Sequence, residues 1–232
     1  MARTIPDRRL HDLVQAATDV FIAQGYRRTQ MADVAGAMGL AKGTLYLYVE
    51  SKEALFDLVV RSADREEPIE LPPKLPVPTP EPGATLEHVA RALSERAVFP
   101  ALHDALARRR AGDVRLELEG ILRELYETLA RNRTGLKLVD RCASDYPDLA
   151  ALWFGRGREF LLALLVQYLG HRKNHIRPFP DAAVAARIVL ETLVFWAVHR
   201  HWDLAPQQVD ERVAEDTVVQ FLLDGLVKER PS

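Results

Sequence analysis

Apolar residues recur along most of the chain at the spacing of an α-helix. Leu10, Leu13, Val14, Ala17 and Phe21 stand at i, i+3, i+4, i+7 and i+11, which puts them on one side of a helix turning 100° per residue. Gly25 follows where a left-handed residue commonly ends a helix. Leu55, Phe56, Leu58 and Val59 repeat the pattern after Ser51, a good N-cap, with Glu53 favourably placed in the first turn. The periodicity continues through about 86–106, 114–130, 148–169, 182–202 and 209–227. Alternation of the kind that builds strands is hard to find. The spacing predicts an all-α protein of about nine or ten helices, with no repeat at a fixed period.

Proline divides this pattern. Seven of the 14 prolines fall between Pro68 and Pro82, and proline both fixes φ and removes a backbone donor. That stretch reads as an extended, semi-rigid connector. The expected organisation is a head over residues 1–65, which includes the first turns of a fourth helix. A linker over 66–84 and a larger helical domain over 85–232 follow.

Composition narrows the class. With 48% hydrophobic and 28% charged residues, the chain has the apolar material for a sizeable core, which excludes wholesale disorder. The longest apolar runs, such as Phe160 to Val166, fall far short of the roughly 20 residues that span a bilayer. The N-terminus has no apolar signal-peptide core, and one cysteine suits a reducing compartment, so a cytoplasmic location without membrane contact is expected. A net charge of −2 argues against coating nucleic acid by bulk charge, but leaves room for a few placed cations.

The segment Thr29–Val49 carries the most information. Thr29 is a candidate N-cap for a short helix with Met31, Val34, Ala35 and Met38 on its apolar side. Gly39 permits the positive φ of a tight turn. A second short helix, about Ala41 to Tyr48, places Lys42, Gly43, Tyr46 and Leu47 on one arc, with Leu45 and Val49 turned inward. Two short helices joined through glycine outline a helix-turn-helix. The second is slim enough for a major groove about 12 Å wide. Gly43 allows close backbone approach to phosphate, and the hydroxyls of Thr44, Tyr46 and Tyr48 suit phosphate oxygens or base edges. Lys52 stands at the start of the next helix, where a phosphate can also bind. The alternative is that Tyr46 and Tyr48 are merely core aromatics of a small bundle.

The stretch from about Leu10 to Val60 resembles the N-terminal domain of the TetR/AcrR family of bacterial transcriptional regulators. The likeness runs through Phe21, Gly25-Tyr26, Thr29, Asp33-Val34-Ala35, Gly39-Leu40, Lys42-Gly43-Thr44-Leu45-Tyr46, Tyr48-Val49 and Ser51-Lys52-Glu53-Ala54-Leu55. It implies a three-helix, helix-turn-helix head on a larger effector-binding and dimerisation domain. It also implies a homodimer that sets two recognition helices in successive major grooves of a palindromic operator. By this resemblance Lys42, Gly43, Thr44, Tyr46 and Tyr48 are recognition-helix contacts, Thr29 and Gln30 face phosphate, and Lys52 binds phosphate. Ala32 departs from the pattern, since many members have an arginine there. Arg3, Arg8 and Arg9 form a candidate basic arm.

In the C-terminal half the last two helices are apolar around more than one face, as an interface between copies would be. The candidates are Val184, Ile188, Leu193, Phe195, Trp196, Trp202, Val218, Phe221 and Leu222; a central core helix is the other reading. Tyr126, Trp153, Phe154, Phe160 and Tyr168, with Arg141, suit an apolar or amphipathic effector, though each aromatic fits a core as well. His171 and His175 have metal-capable spacing but no nearby acid, so no metal or cofactor is expected. Cys142 beside Arg141 is a weak redox candidate. With no phosphate loop, G-x-S-x-G or H-E-x-x-H, nothing points to an enzyme. The expectation is a repressor released by a small effector. A ligand-independent DNA-binding protein, an activator, or a ligand-binding domain with a vestigial head are the alternatives.

Overall fold

A computed structural model describes residues 7–65, 75–96, 98–110 and 112–228. Among them the chain is helical throughout, with isolated bridges in place of strands. The α-helices are α1 (Asp7–Gln24), α2 (Met31–Ala37), α3 (Lys42–Leu45), α4 (Lys52–Ser62), α5 (Ala84–Arg96) and α6 (Pro100–Ala107), then α7 (Val114–Arg131), α8 (Arg133–Ala143), α9 (Pro147–Ala150), α10 (Glu159–His171), α11 (Ala182–Ala197) and α12 (Glu211–Leu226). Ala151–Arg158 is wound as a π-helix and His199–Trp202 as a 3₁₀ turn.

This is more segments than the nine or ten expected, for local reasons. Pro100 starts a new helix at its first turn, which divides 86–106 into α5 and α6. Helical backbone runs unbroken from Pro147 to His171 and changes only its winding. The helix α8 escaped the periodicity because Arg133-Thr134-Gly135 reads as a break, and only Leu138, Val139, Cys142 and Ala143 are buried in it.

The described residues form two compact units. The first runs up to Leu93 and takes in Thr134–Trp153; the second comprises Ser94–Arg133 and the chain from Phe154 onward. In the first, α1 packs on α2 and α4, and α2 on α3. The predicted stripe of α1 is buried, with Leu13, Ala17 and Phe21 fully so. Phe21, Tyr26, Phe56 and Tyr146 form an aromatic cluster, with Tyr26 and Phe56 centroids 4.8 Å apart and Tyr26 and Tyr146 5.0 Å apart. Burying a side chain such as Phe56 contributes about 1.5–3 kcal/mol. Tyr146 lies just after α8, so this cluster ties the later segment to the first. Cys142 is buried against it, and burial, with Asp145, pushes its thiol pKa up to about 12, which removes it as a redox candidate.

In the second unit α7 packs against α6, α11 and α12, and α10 against α6 and α11. Leu118, Ile121, Leu122 and Leu125 of α7, Leu165 and Tyr168 of α10, Val189 and Leu193 of α11, and Leu222 and Leu223 of α12 are buried in its core. A buried ion pair lies at one end. Arg172 is 2% exposed and bonds Glu117 at 2.7 and 3.1 Å, while its Nη atoms cap the carbonyls of Ala105 and Arg108 at the close of α6. Tyr168 packs beside this guanidinium, and burial, with Glu117, pushes its hydroxyl pKa up.

Candidate nucleic-acid interface

Backbone geometry builds the helix-turn-helix as the glycines predict. Gly25 has φ +86° and Gly39 φ +65°, a region that disfavours residues with a Cβ. The Leu40 amide returns to the Ala35 carbonyl at 2.8 Å, closing the turn before α3. Ser51 caps α4, its Oγ accepting from the Ala54 amide at 3.0 Å.

The arc expected on the second helix is present. Leu45 and Val49 are fully buried, while Lys42 and Gly43 are exposed, Tyr46 is 41% exposed and Leu47 58%. Helical winding stops at Leu45, earlier than the expected Tyr48, and Tyr46–Tyr48 continue as a turn. Thr44 is half-buried on the flank of the arc. A Cβ built on Gly43 would meet nothing within 4 Å.

Three of the other site residues are used differently from the expectation. Thr29 is not the N-cap of α2. It is buried and donates its hydroxyl to the Gly25 carbonyl at 2.7 Å, so it fastens the turn after α1. Gln30 takes the cap position, exposed, with its amide donating to Asp33 Oδ2 at 2.8 Å. Tyr48 is buried, because the turn after α3 swings its ring into the core while Tyr46 stays out. Lys52 Nζ donates to the Tyr26 carbonyl at 3.1 Å and lies 4.6 Å from the Tyr26 ring centre, so it already stabilises the end of the α1–α2 turn. Ala32 is exposed on α2. Arg3 lies outside the described residues; Arg9 is exposed on α1.

Three of the effector candidates, Arg141, Trp153 and Tyr126, have hydrogen-bond partners of their own. Arg141 donates to the carbonyls of Ala23 and Gln24, and Trp153 Nε1 to Asp140 at 3.0 Å, both within the first unit. In the second, Tyr126 is buried and donates to Glu211 Oε1 at 3.0 Å. Tyr168 is buried as described, and Phe154 and Phe160 are exposed. The polar ends of Tyr126 and Arg141 are thus taken up internally. Glu211 is a hub that also receives Arg133 at 3.0 Å and Arg200 at 2.7 Å, with His201 at 3.6 Å.

The interface candidates divide in two. Leu193, Val218 and Leu222 are buried within the unit, which corrects their assignment, and Trp196 and Trp202 are half-buried. Val184, Ile188 and Phe195 remain exposed on α11, and Val213 and Phe221 on α12, the last at 74%. Their spacings of 4, 7 and 8 residues keep each set on one face.

Among the described residues no helix is long and apolar enough to cross a membrane. Residues 13–59 match the sequence profile of the bacterial regulatory proteins of the tetR family. No curated protein matches the sequence. The fold resembles the ketosteroid transcriptional regulator KstR2 of Mycobacterium tuberculosis (19% identity over 97% of this chain and 98% of that one, TM-score 0.56). It also resembles a tetR-family regulatory protein from Rhodococcus RHA1 (16%, 98% and 100%, TM-score 0.53). A third is a TetR-family regulator from Streptomyces coelicolor (22%, 93% and 91%, TM-score 0.52). The sequence match is thus confined to residues 13–59, which carry the N-terminal domain of the tetR family of bacterial regulatory proteins, while the likeness to the solved structures is one of fold over nearly the whole chain.

Proposed function

We propose that the protein is a homodimeric transcriptional repressor of the cytoplasm, which binds a palindromic operator through α3 and is released by a small apolar or amphipathic effector. The observation that carries the DNA reading is the surface of α3. Glycine in an exposed helix costs about 1 kcal/mol relative to alanine, and Gly43 has no neighbour within 4 Å that would require it. Beside it stand an exposed lysine, tyrosine and leucine. A helix gives up local stability in this way when something outside the chain must come close, and a duplex supplies both the phosphates for Lys42 and the base edges for Tyr46.

The homodimer is supported by the exposed apolar stripes on α11 and α12, of a kind that monomers seldom leave in water. Release follows by linkage. An effector that favours a dimer whose recognition helices no longer stand about 34 Å apart lowers operator affinity. The experiment is selection of fragmented genomic DNA on the purified protein beside Tyr46→Ala. A short palindrome enriched by the wild type alone is the expected result; equal enrichment by both proteins overturns the assignment.

A further inference from the structure

The Pro-rich connector does not simply lead away from the head. Its described part, 75–82, returns to the residues just after α3. The Val77 amide donates to the Tyr48 carbonyl at 2.7 Å, and the Glu50 amide to the Val77 carbonyl at 3.0 Å, making a parallel bridge between Val49 and Val77. The Thr79 amide then donates to Glu50 Oε2 at 3.0 Å. The Thr79 hydroxyl lies 2.8 Å from that of Ser51, the same hydroxyl that caps α4. These bonds satisfy backbone groups that α3 and α4 leave open between them.

The bridge matters because α3 is one turn long. A single turn has little helical stability of its own, so its direction is set by what holds its two ends. The Gly39–Leu40 turn holds one end. Val77 and Thr79 hold the other.

Resting on the DNA-binding reading above, we infer that segment 75–82 is a working part of the head: Val77 and Thr79 are positioning residues that fix the exit of α3, and so aim Lys42, Gly43 and Tyr46 at the duplex. The same strap runs directly into α5, whose Thr85 hydroxyl donates to Asp57 of α4 at 2.8 Å. A shift of α5 along α4 therefore pulls on the backbone beside Tyr48. The proline-rich composition suits this role, because a stiff strap transmits displacement that a flexible one would absorb.

The test uses full-length protein and the duplex enriched by the wild type, with an unrelated duplex of equal length as reference. Val77→Pro removes the donor to Tyr48, Thr79→Val removes the hydroxyl at nearly constant shape, and Thr79→Ser restores it. Binding is read by fluorescence anisotropy, and thermal melting is followed in parallel. Losing one such hydrogen bond corresponds to about a two- to tenfold effect. The expected result is a loss of that size on the enriched duplex for Val77→Pro and Thr79→Val, with Thr79→Ser like the wild type. Affinity for the unrelated duplex stays unchanged, and the melting temperature falls by no more than the loss of one hydrogen bond accounts for. Wild-type binding by the strap variants while Tyr46→Ala loses the duplex overturns the strap and leaves the DNA reading standing. A parallel loss on both duplexes with a lowered melting temperature makes the role merely structural, and overturns it too. Should Val77→Pro fail to fold, the Thr79 pair decides alone. If Tyr46→Ala also binds like the wild type, both readings fall.

Discussion

Asp64 and Gly135 are fitted to each other: Asp64 Oδ2 accepts the Gly135 amide at 2.6 Å, and a Cβ on Gly135 would stand 2.8 Å from that same oxygen. The other carboxylate oxygen accepts the Thr134 amide at 2.9 Å, so one aspartate after α4 caps the start of α8. Asp64 itself sits at φ +57°, which non-glycine residues other than Asn and Asp avoid. Asp64→Ala loses the cap and keeps the unfavourable backbone, and is expected to cost about 1–3 kcal/mol. Asp64→Gly loses the cap but relaxes the backbone, so it should cost less. Denaturant titration of the two variants gives the order; the reverse order refutes this account.

Gly43→Ala separates stability from binding. With open space where the Cβ would go, the folded protein should be unchanged or gain up to about 1 kcal/mol. Affinity for the enriched duplex should fall at least tenfold if backbone meets phosphate there. A loss of both together would place the requirement inside the chain.

The cluster around Glu211 predicts the pH dependence of stability. Burial pushes the Glu211 carboxyl up, but hydrogen bonds from Arg133 and Tyr126 and the charges of Arg133 and Arg200 outweigh it, and its pKa lies below the ordinary carboxylate value. Burial, then Arg133 and Arg200, lower His201 as well. For both groups the unfolded chain binds the proton more readily, so their contributions are present at high pH and lost as pH falls. His201 acts first, below the ordinary histidine pKa of about 6.5, and Glu211 at lower pH. Melting temperature should therefore decline from pH 7.5 to 5.5, and His201→Gln should flatten that decline while leaving the acid limb.

Removing one partner of the Arg172–Glu117 pair should be costly. Arg172→Met leaves a buried carboxylate and two uncapped carbonyls at the end of α6, a loss of about 3–5 kcal/mol. The exposed pair Arg115–Asp224 at 2.7 Å should contribute under about 1 kcal/mol. Parallel denaturation of Arg172→Met and Arg115→Met tests the contrast.

Ile188→Glu and Phe221→Glu test the interface. Both side chains are exposed, so neither change should unfold the protein. Each should convert a dimer to a monomer in sedimentation equilibrium and weaken binding to a two-half-site duplex. Leu193→Glu should instead unfold it, since Leu193 is fully buried.

What could be read without a structure was what local chemistry decides. The stripe of α1, the positive φ of Gly25 and Gly39, the Ser51 cap and the inward Leu45 follow from periodicity and backbone sterics over a few residues, and the structure bears them out. Long-range partners were not legible. Nothing near Thr29 says that its hydroxyl will turn back to Gly25. Nothing in Pro76–Thr79 says that it pairs with Tyr48–Ser51. Likewise Tyr46 and Tyr48 look alike in sequence, and only the early end of α3 sends one outward and the other in. Apolar content alone could not divide α11 and α12 into core and open faces, because both faces are apolar.

Cys142 leaves the molecule well suited to spectroscopy. It is the one cysteine of the chain, enclosed in the first unit with its thiol pushed up to about 12, so almost none is thiolate at neutral pH and maleimide reagents find no nucleophile there. A cysteine introduced at an exposed position, such as Leu204 in the loop before α12, would take a fluorophore or spin label alone. Each chain then carries one dye. In the proposed dimer, two labelled copies would report the separation between subunits directly, in the untreated native background.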